Sequence, residues 1–122
     1  MKVAHIGIYA KDVDKLAQWY QDILKMKVVR KLERGERPPV YFLKANEGSE
    51  IEILPATKEG RKRELQESGY SHVGLEVDNF DEFVLYLKSR GVMVHGIRIT
   101  SHGWRIGYIE DIEGNIIEII KK

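Results

Sequence analysis

The chain has 122 residues, with 20 Lys and Arg against 19 Asp and Glu, and it contains no cysteine. A net charge of +1 gives no electrostatic pull toward nucleic acid or an anionic membrane. The missing cysteines exclude disulfides, thiolate nucleophiles and zinc–thiolate sites; with neither a signal peptide nor an apolar run of membrane-spanning length, a cytoplasmic protein is expected.

Val3 to Ala10 reads as a strand, with Val3, His5, Gly7 and Tyr9 on one face and Ala4, Ile6, Ile8 and Ala10 on the other. Asp12 is an N-cap for a helix to about Leu24, whose apolar stripe is Val13, Leu16, Ala17, Tyr20, Ile23 and Leu24. A second strand spans Met26 to Leu32, and Gly35 with Pro38-Pro39 marks a turn. Strands Val40 to Lys44 and Ser49 to Leu54 follow, the last with Glu50, Glu52 and Leu54 on one face and Ile51 and Ile53 on the other. Residues 56–70 form a charged linker, with one or two helical turns expected around Lys62 to Gln66. The basic run Arg61-Lys62-Arg63 lies among Glu59, Glu64 and Glu67, which suits a solvated surface better than a phosphate site.

From Ser71 the order repeats. Strand Ser71 to Val77 sets His72, Gly74 and Glu76 opposite Val73, Leu75 and Val77. Asn79 caps a helix to about Arg90, and Gly91 ends it. Strands Val92 to Thr100, Trp104 to Glu110 and Ile116 to Ile120 complete the chain, the last two joined by a tight turn at Glu113-Gly114-Asn115.

His5 to His72, Gly7 to Gly74 and Asp14 to Asp81 share an offset of 67, so the chain is one β-α-β-β-β module written twice. The expected fold class is α+β, with module one at 1–55, linker 56–70 and module two at 71–122 in a single domain. One module covers only one face of its sheet; two such sheets, helices outward, are expected to curve into a cup.

The inward polar residues then pair off. Each module offers a histidine from its first strand, His5 or His72, and a glutamate from its last, Glu52 or Glu118, the glutamates being 66 apart. Antiparallel sheets often carry such residues on a solvated face without any role. Two neutral imidazoles and two carboxylates at matched positions nevertheless suit one divalent metal, with room for water or a substrate presenting two adjacent oxygens. The same two glutamates are the candidate proton carriers, Glu118 preferred because Ile116 and Ile120 flank it while Glu50 accompanies Glu52. Tyr9, Tyr41, Trp104 and Tyr108 are candidates to line a substrate pocket; aromatics on strands are more often plain core. His95 and His102 have no repeat partner and are expected at the surface or in loops.

The duplicated pattern, together with His5-Ile6-Gly7, Ile51-Glu52-Ile53, His72-Val73-Gly74 and Asp111-Ile112-Glu113-Gly114-Asn115-Ile116-Ile117-Glu118, resembles the vicinal-oxygen-chelate superfamily over almost the whole chain. That group holds glyoxalase I, methylmalonyl-CoA epimerase, extradiol dioxygenases and the fosfomycin and bleomycin resistance proteins. The ligand order His, Glu, His, Glu is most similar to glyoxalase I. The resemblance implies a divalent metal (nickel, zinc, cobalt or manganese) and a lyase or isomerase acting on a small carbonyl or thioester substrate through a metal-chelated enediolate. It also implies a homodimer whose modules pair between chains, while the charge balance and the lack of a membrane-spanning run lead to the expectation of no nucleic-acid or membrane partner. The rival class is a non-catalytic small-molecule binding protein of the bleomycin-resistance type. Two departures stand out. Tyr9 and Ala56 occupy the places where small glyoxalase I enzymes carry a glutathione-contacting arginine and asparagine, and Ile112 replaces a usual turn proline.

Overall fold

The computed structural model describes residues 1–122. The chain forms two compact units, Met1–Gly60 and Arg61–Lys122, the boundary falling inside the segment read as a linker. The first contains β1 (His5–Ala10), α1 (Val13–Asp22), β2 (Lys27–Arg34), β3 (Arg37–Lys44) and β4 (Glu50–Pro55). The second contains β5 (His72–Glu76), α2 (Phe80–Ser89), β6 (His95–Ile99), β7 (Arg105–Glu110) and β8 (Ile116–Lys121). Each unit is a four-stranded mixed sheet with one helix, in the orders β1-β4-β3-β2 and β5-β8-β7-β6. The α+β duplication expected from the repeat is therefore the observed fold. Neither helix is long and apolar enough to cross a membrane.

The helices start where the capping residues stand. Asp12 accepts from the Lys15 amide at 3.1 Å and Asn79 from the Glu82 amide at 3.1 Å, each satisfying one orphan donor of the first turn. Helical spacing brings Val13, Leu16, Ala17 and Tyr20 to the buried side of α1. They meet Leu43, Ile51 and Ile53, all buried on the covered face of the first sheet. In the second unit Phe80 and Leu87 are the buried positions of α2, with Ile109, Ile117 and Ile119 buried on the sheet. Full burial of each such aliphatic side chain is worth about 1.5–3 kcal/mol, so the covered faces hold each unit together. Strict alternation then sends Glu50 and Glu52, and likewise Glu118, to the face away from the helix.

Three local expectations change. Pro38 and Pro39 lie inside β3 and not in the turn, which is made at Gly35 and Glu36 with Arg34 opposite Arg37. Gly35 takes φ 68°, the left-handed conformation a tight hairpin needs. The Arg34 guanidinium donates twice to the Pro38 carbonyl, at 3.0 and 2.8 Å, and a register irregularity between Leu32 and Arg34 accommodates the absent proline donors. Residues 62–66 form no helix; a turn at Leu65 and Gln66 is flanked by Arg61–Glu67 at 2.9 Å and by Arg63 to the Ser68 carbonyl at 2.8 Å. Strand β6 is shorter than the expected Val92 to Thr100, and within it Gly96, at φ 61°, marks a register irregularity between His95 and Arg98.

Candidate functional site

Parallel pairing of the first strand with the last is what sets a histidine beside a glutamate in each unit. Along β1 and β4, His5 stands opposite Glu50 and Gly7 opposite Glu52. Along β5 and β8, His72 stands opposite Ile116 and Gly74 opposite Glu118. Each imidazole leans one step toward the glutamate: His5 Nε2 lies 3.4 Å from Glu52 Oε1, and His72 Nε2 lies 3.7 Å from Glu118 Oε2. The glycines leave the carboxylates accessible. A Cβ at Gly7 would sit 3.8 Å from Glu52 Oε1 and one at Gly74 would sit 3.7 Å from Glu118 Oε1, so any longer side chain there would lie against the carboxylate.

An aromatic ring completes each pair. Phe42 on β3 faces Glu52, and Tyr108 on β7 faces Glu118. His5 meets the Phe42 ring edge-on at 5.7 Å, and His72 meets the Tyr108 ring in the same way at 5.7 Å. The two rings differ by one hydroxyl. That of Tyr108 donates to Glu118 Oε2 at 3.3 Å. Burial pushes the Tyr108 phenol above its ordinary value, and the Glu118 charge and hydrogen bond push the same way, so the group stays a proton donor. Phe42 has no hydroxyl to offer, and the Arg30 guanidinium lies 4.5 Å above its ring. Arg30 also bonds Glu50, which engages the extra acid on that face.

Of the expected pocket residues, Tyr41 needs correction. One position from Phe42 along β3, it points to the helix face and donates its hydroxyl to Asp14 of α1. Phe42 has the place assigned to it, and the offset of 66 that relates Glu52 to Glu118 also relates Phe42 to Tyr108. Tyr9 lies on the His5 face and is 69% exposed. Trp104 lies beside the last residue, with the Lys122 ammonium 4.9 Å from its ring and His102 at 5.6 Å. Lys122 in turn reaches Glu76 at 3.7 Å, so that acid is also engaged. His95 is exposed on β6, opposite Tyr108.

The donor set fits a divalent ion. Two ligands bound to one ion at about 2.0–2.2 Å stand about 3.0–3.6 Å apart at angles near 90–120°, close to the separations of both pairs. The glutamates are the more sheltered members, at 19% and 16% side-chain exposure, against 46% for His5 and 30% for His72. The structure brings together no group of three or more His, Cys, Asp or Glu side chains that could hold a metal ion.

A duplicated module of this topology, with a His–Glu pair on the face of each sheet away from its helix, defines a class, and comparison with known proteins agrees. The model of the Glyoxalase/Bleomycin resistance protein/Dioxygenase superfamily matches residues 2–119, and the chain belongs to that superfamily. A lactoylglutathione lyase of Neisseria meningitidis serogroup A is 27% identical over 126 residues, covering 100% of this chain and 91% of the relative. The lactoylglutathione lyase of Haemophilus influenzae is 26% identical, covering 99% and 93%. Among solved structures, a glyoxalase family protein from Enterococcus faecalis aligns with a TM-score of 0.82 at 21% identity, covering 98% of this chain and 96% of that one, which is a likeness of fold.

Proposed function

We propose that the protein is a glyoxalase-like lyase or isomerase in which His5, Glu52, His72 and Glu118 together hold one divalent metal. The observation that carries this reading is the matched His–Glu separation, 3.4 and 3.7 Å, at equivalent places of a duplicated module. Relatives named lactoylglutathione lyase at 26–27% identity support the reaction class. Such an ion supplies Lewis acidity to two adjacent substrate oxygens and fixes their orientation. The protein's own part is to position and to move a proton. Nε2 of His5 and of His72, the atoms nearest the glutamates, would be the ligating atoms, and each neighbouring ring limits how the imidazole can turn. A glutamate oxygen takes the proton from the carbon beside the substrate carbonyl and returns it to a neighbouring atom.

The substrate is a small carbonyl compound or thioester. Tyr9 and Ala56 replace the arginine and asparagine expected of a glutathione site, and the exposed Tyr9 phenol presents an aromatic face there. That same aromatic supports a second reading, sequestration of a small molecule without turnover. A homodimer completes the proposal: β1 and β5 are edge strands of their sheets, and Ile6 on β1 is 40% exposed.

Two measurements on untagged protein test it. Elemental analysis should find one divalent ion per chain, and His5→Ala and His72→Ala should each lose it. The protein should also exchange the α-proton of at least one α-hydroxycarbonyl, thiohemiacetal or acyl-CoA in deuterium oxide. Metal without exchange favours sequestration; neither metal nor exchange removes the enzyme reading.

A further inference from the structure

We infer that residues 62–65 and the second sheet form a subsite for an uncharged alkyl or aryl group that the substrate carries beside its reacting carbonyl. This rests on the reading of the His72–Glu118 pair as part of the substrate site, and a cavity inside the second unit carries it further. The cavity has a volume of about 420 Å³, with Leu65, Tyr108 and Ile116 among its walls. Two of these walls adjoin the pair. Tyr108 donates its hydroxyl to Glu118 Oε2 at 3.3 Å, and Ile116 stands opposite His72 on the neighbouring strand. A substrate held at the pair therefore lies against the cavity wall.

The cations around the cavity already have partners. Lys62 Nζ bridges to Glu110, 3.0 Å from Oε1 and 3.3 Å from Oε2. The Arg63 guanidinium closes the loop that follows it, donating to the Ser68 carbonyl at 2.8 Å and lying 3.7 Å from Glu67. A Cβ at Gly69, where φ is 113°, would stand 2.6 Å from Arg63 Nη2, so that loop is folded around the guanidinium. Glu64 adds an exposed acid to the rim. A charged group entering between Leu65 and Ile116 would give up water without a waiting partner, which is costly, whereas an apolar group gains by leaving water. Leu65 points the same way. It is the single apolar side chain between Gly60 and Tyr70, and it is 45% exposed beside the cavity. An apolar occupant would cover it.

The test uses the full chain, with and without zinc, and a series of α-hydroxyketones as probes: hydroxyacetone and homologues lengthened one methylene at a time on the methyl side. Amide shifts in isotope-labelled protein report both affinity and place. Affinity should rise about fourfold with each of the first added methylenes, the transfer value for burying one such group. The largest shifts should fall at Leu65, Tyr108 and Ile116. Chains ending in a carboxylate or an ammonium should bind more weakly than the methyl-ended chain of the same length. Leu65→Ala should remove most of the gain from chain length and leave hydroxyacetone unaffected. Affinity independent of length, or a length dependence unchanged in Leu65→Ala, overturns the inference. So does tighter binding of the carboxylate-ended chain that is lost in Lys62→Ala, which would assign an anionic group instead. Shifts at Leu65 that follow protein concentration and not the probe would place a second copy over the cavity, with the same consequence. Exchange of the hydroxyacetone α-proton in deuterium oxide reports the reaction separately. Exchange without a length effect defeats the subsite alone; length-dependent binding at Leu65 without exchange upholds the subsite and defeats the enzyme reading.

Discussion

Tyr41 and Asp14 tie β3 to the helix above it, and the bond has a pH signature. The hydrogen bond to Asp14 is the main cause that raises the Tyr41 phenol above 10.0, with burial and the Asp14 charge adding to it and Lys31 opposing. A phenol raised in the folded state contributes stability that is complete below its unfolded value, near 10, and is lost as the pH climbs through the folded value. Tyr41→Phe should therefore cost about 1 kcal/mol at neutral pH in a denaturant titration and flatten the alkaline fall in stability. A variant as stable as the wild type, with the same alkaline profile, would show that the bond contributes nothing. This residue also marks where the sequence misleads. Alternation shows that Tyr41 and Phe42 face opposite ways but not which face is which, because shifting the register by one flips every side chain. The repeat spacing drops from 67 to 66 between the first helix and the ring-bearing strand, and irregularities occur in β2 and β6. Counting 66 back from Tyr108 finds Phe42; reading β3 alone does not.

At the scale of elements, the turn before β8 is closed by a buried acid. Asp111 is 5% exposed and accepts from the Glu113 amide at 2.9 Å, the Asn115 amide at 3.0 Å and the Asn115 side chain at 2.9 Å. Ile112, in the place of the usual proline, is exposed and not needed to shape the turn. Asp111→Ala should cost about 2 kcal/mol or more in unfolding free energy, since it orphans several donors at once. Gly107 sets a second test. A Cβ there would stand 2.5 Å from Val94 Cγ1, 3.3 Å from Ile97 Cγ1 and 3.4 Å from Phe80 Cζ, and valine's stiff χ1 leaves it little room to yield. Gly107→Ala should destabilise by about 1–3 kcal/mol; a neutral result would mean that β6 and α2 shift freely. Caps and apolar stripes were legible because each follows from a local rule. The turn at Leu65 and Gln66 was not, because helix-forming residues in a short charged segment are outweighed by ion pairs and a positive φ at Gln66. The hairpin at Gly35 was displaced for a similar reason, since Pro38 and Pro39 read as breakers although a bulged strand admits them.

For the whole molecule, the duplication made the architecture readable, since one module's pattern could be checked against the other. It also nominated the His–Glu pairs, which the structure brings together within each unit. Less legible were the rings that distinguish the pairs, because one hydroxyl in an otherwise matched constellation has no periodic signal. The proposed homodimer would use the edge strands β1 and β5, and sedimentation at micromolar concentration should return a dimer; a monomer would remove that part of the proposal. The proposed function requires His5, Glu52, His72 and Glu118 all to bind the metal. Calorimetric titration of zinc into metal-free wild type, His5→Ala and His72→Ala tests it most directly. The account predicts one zinc per chain in the wild type and loss of that binding in both variants, each of which retains an intact pair in the other unit. No binding by the wild type, or wild-type binding by either variant, would contradict it.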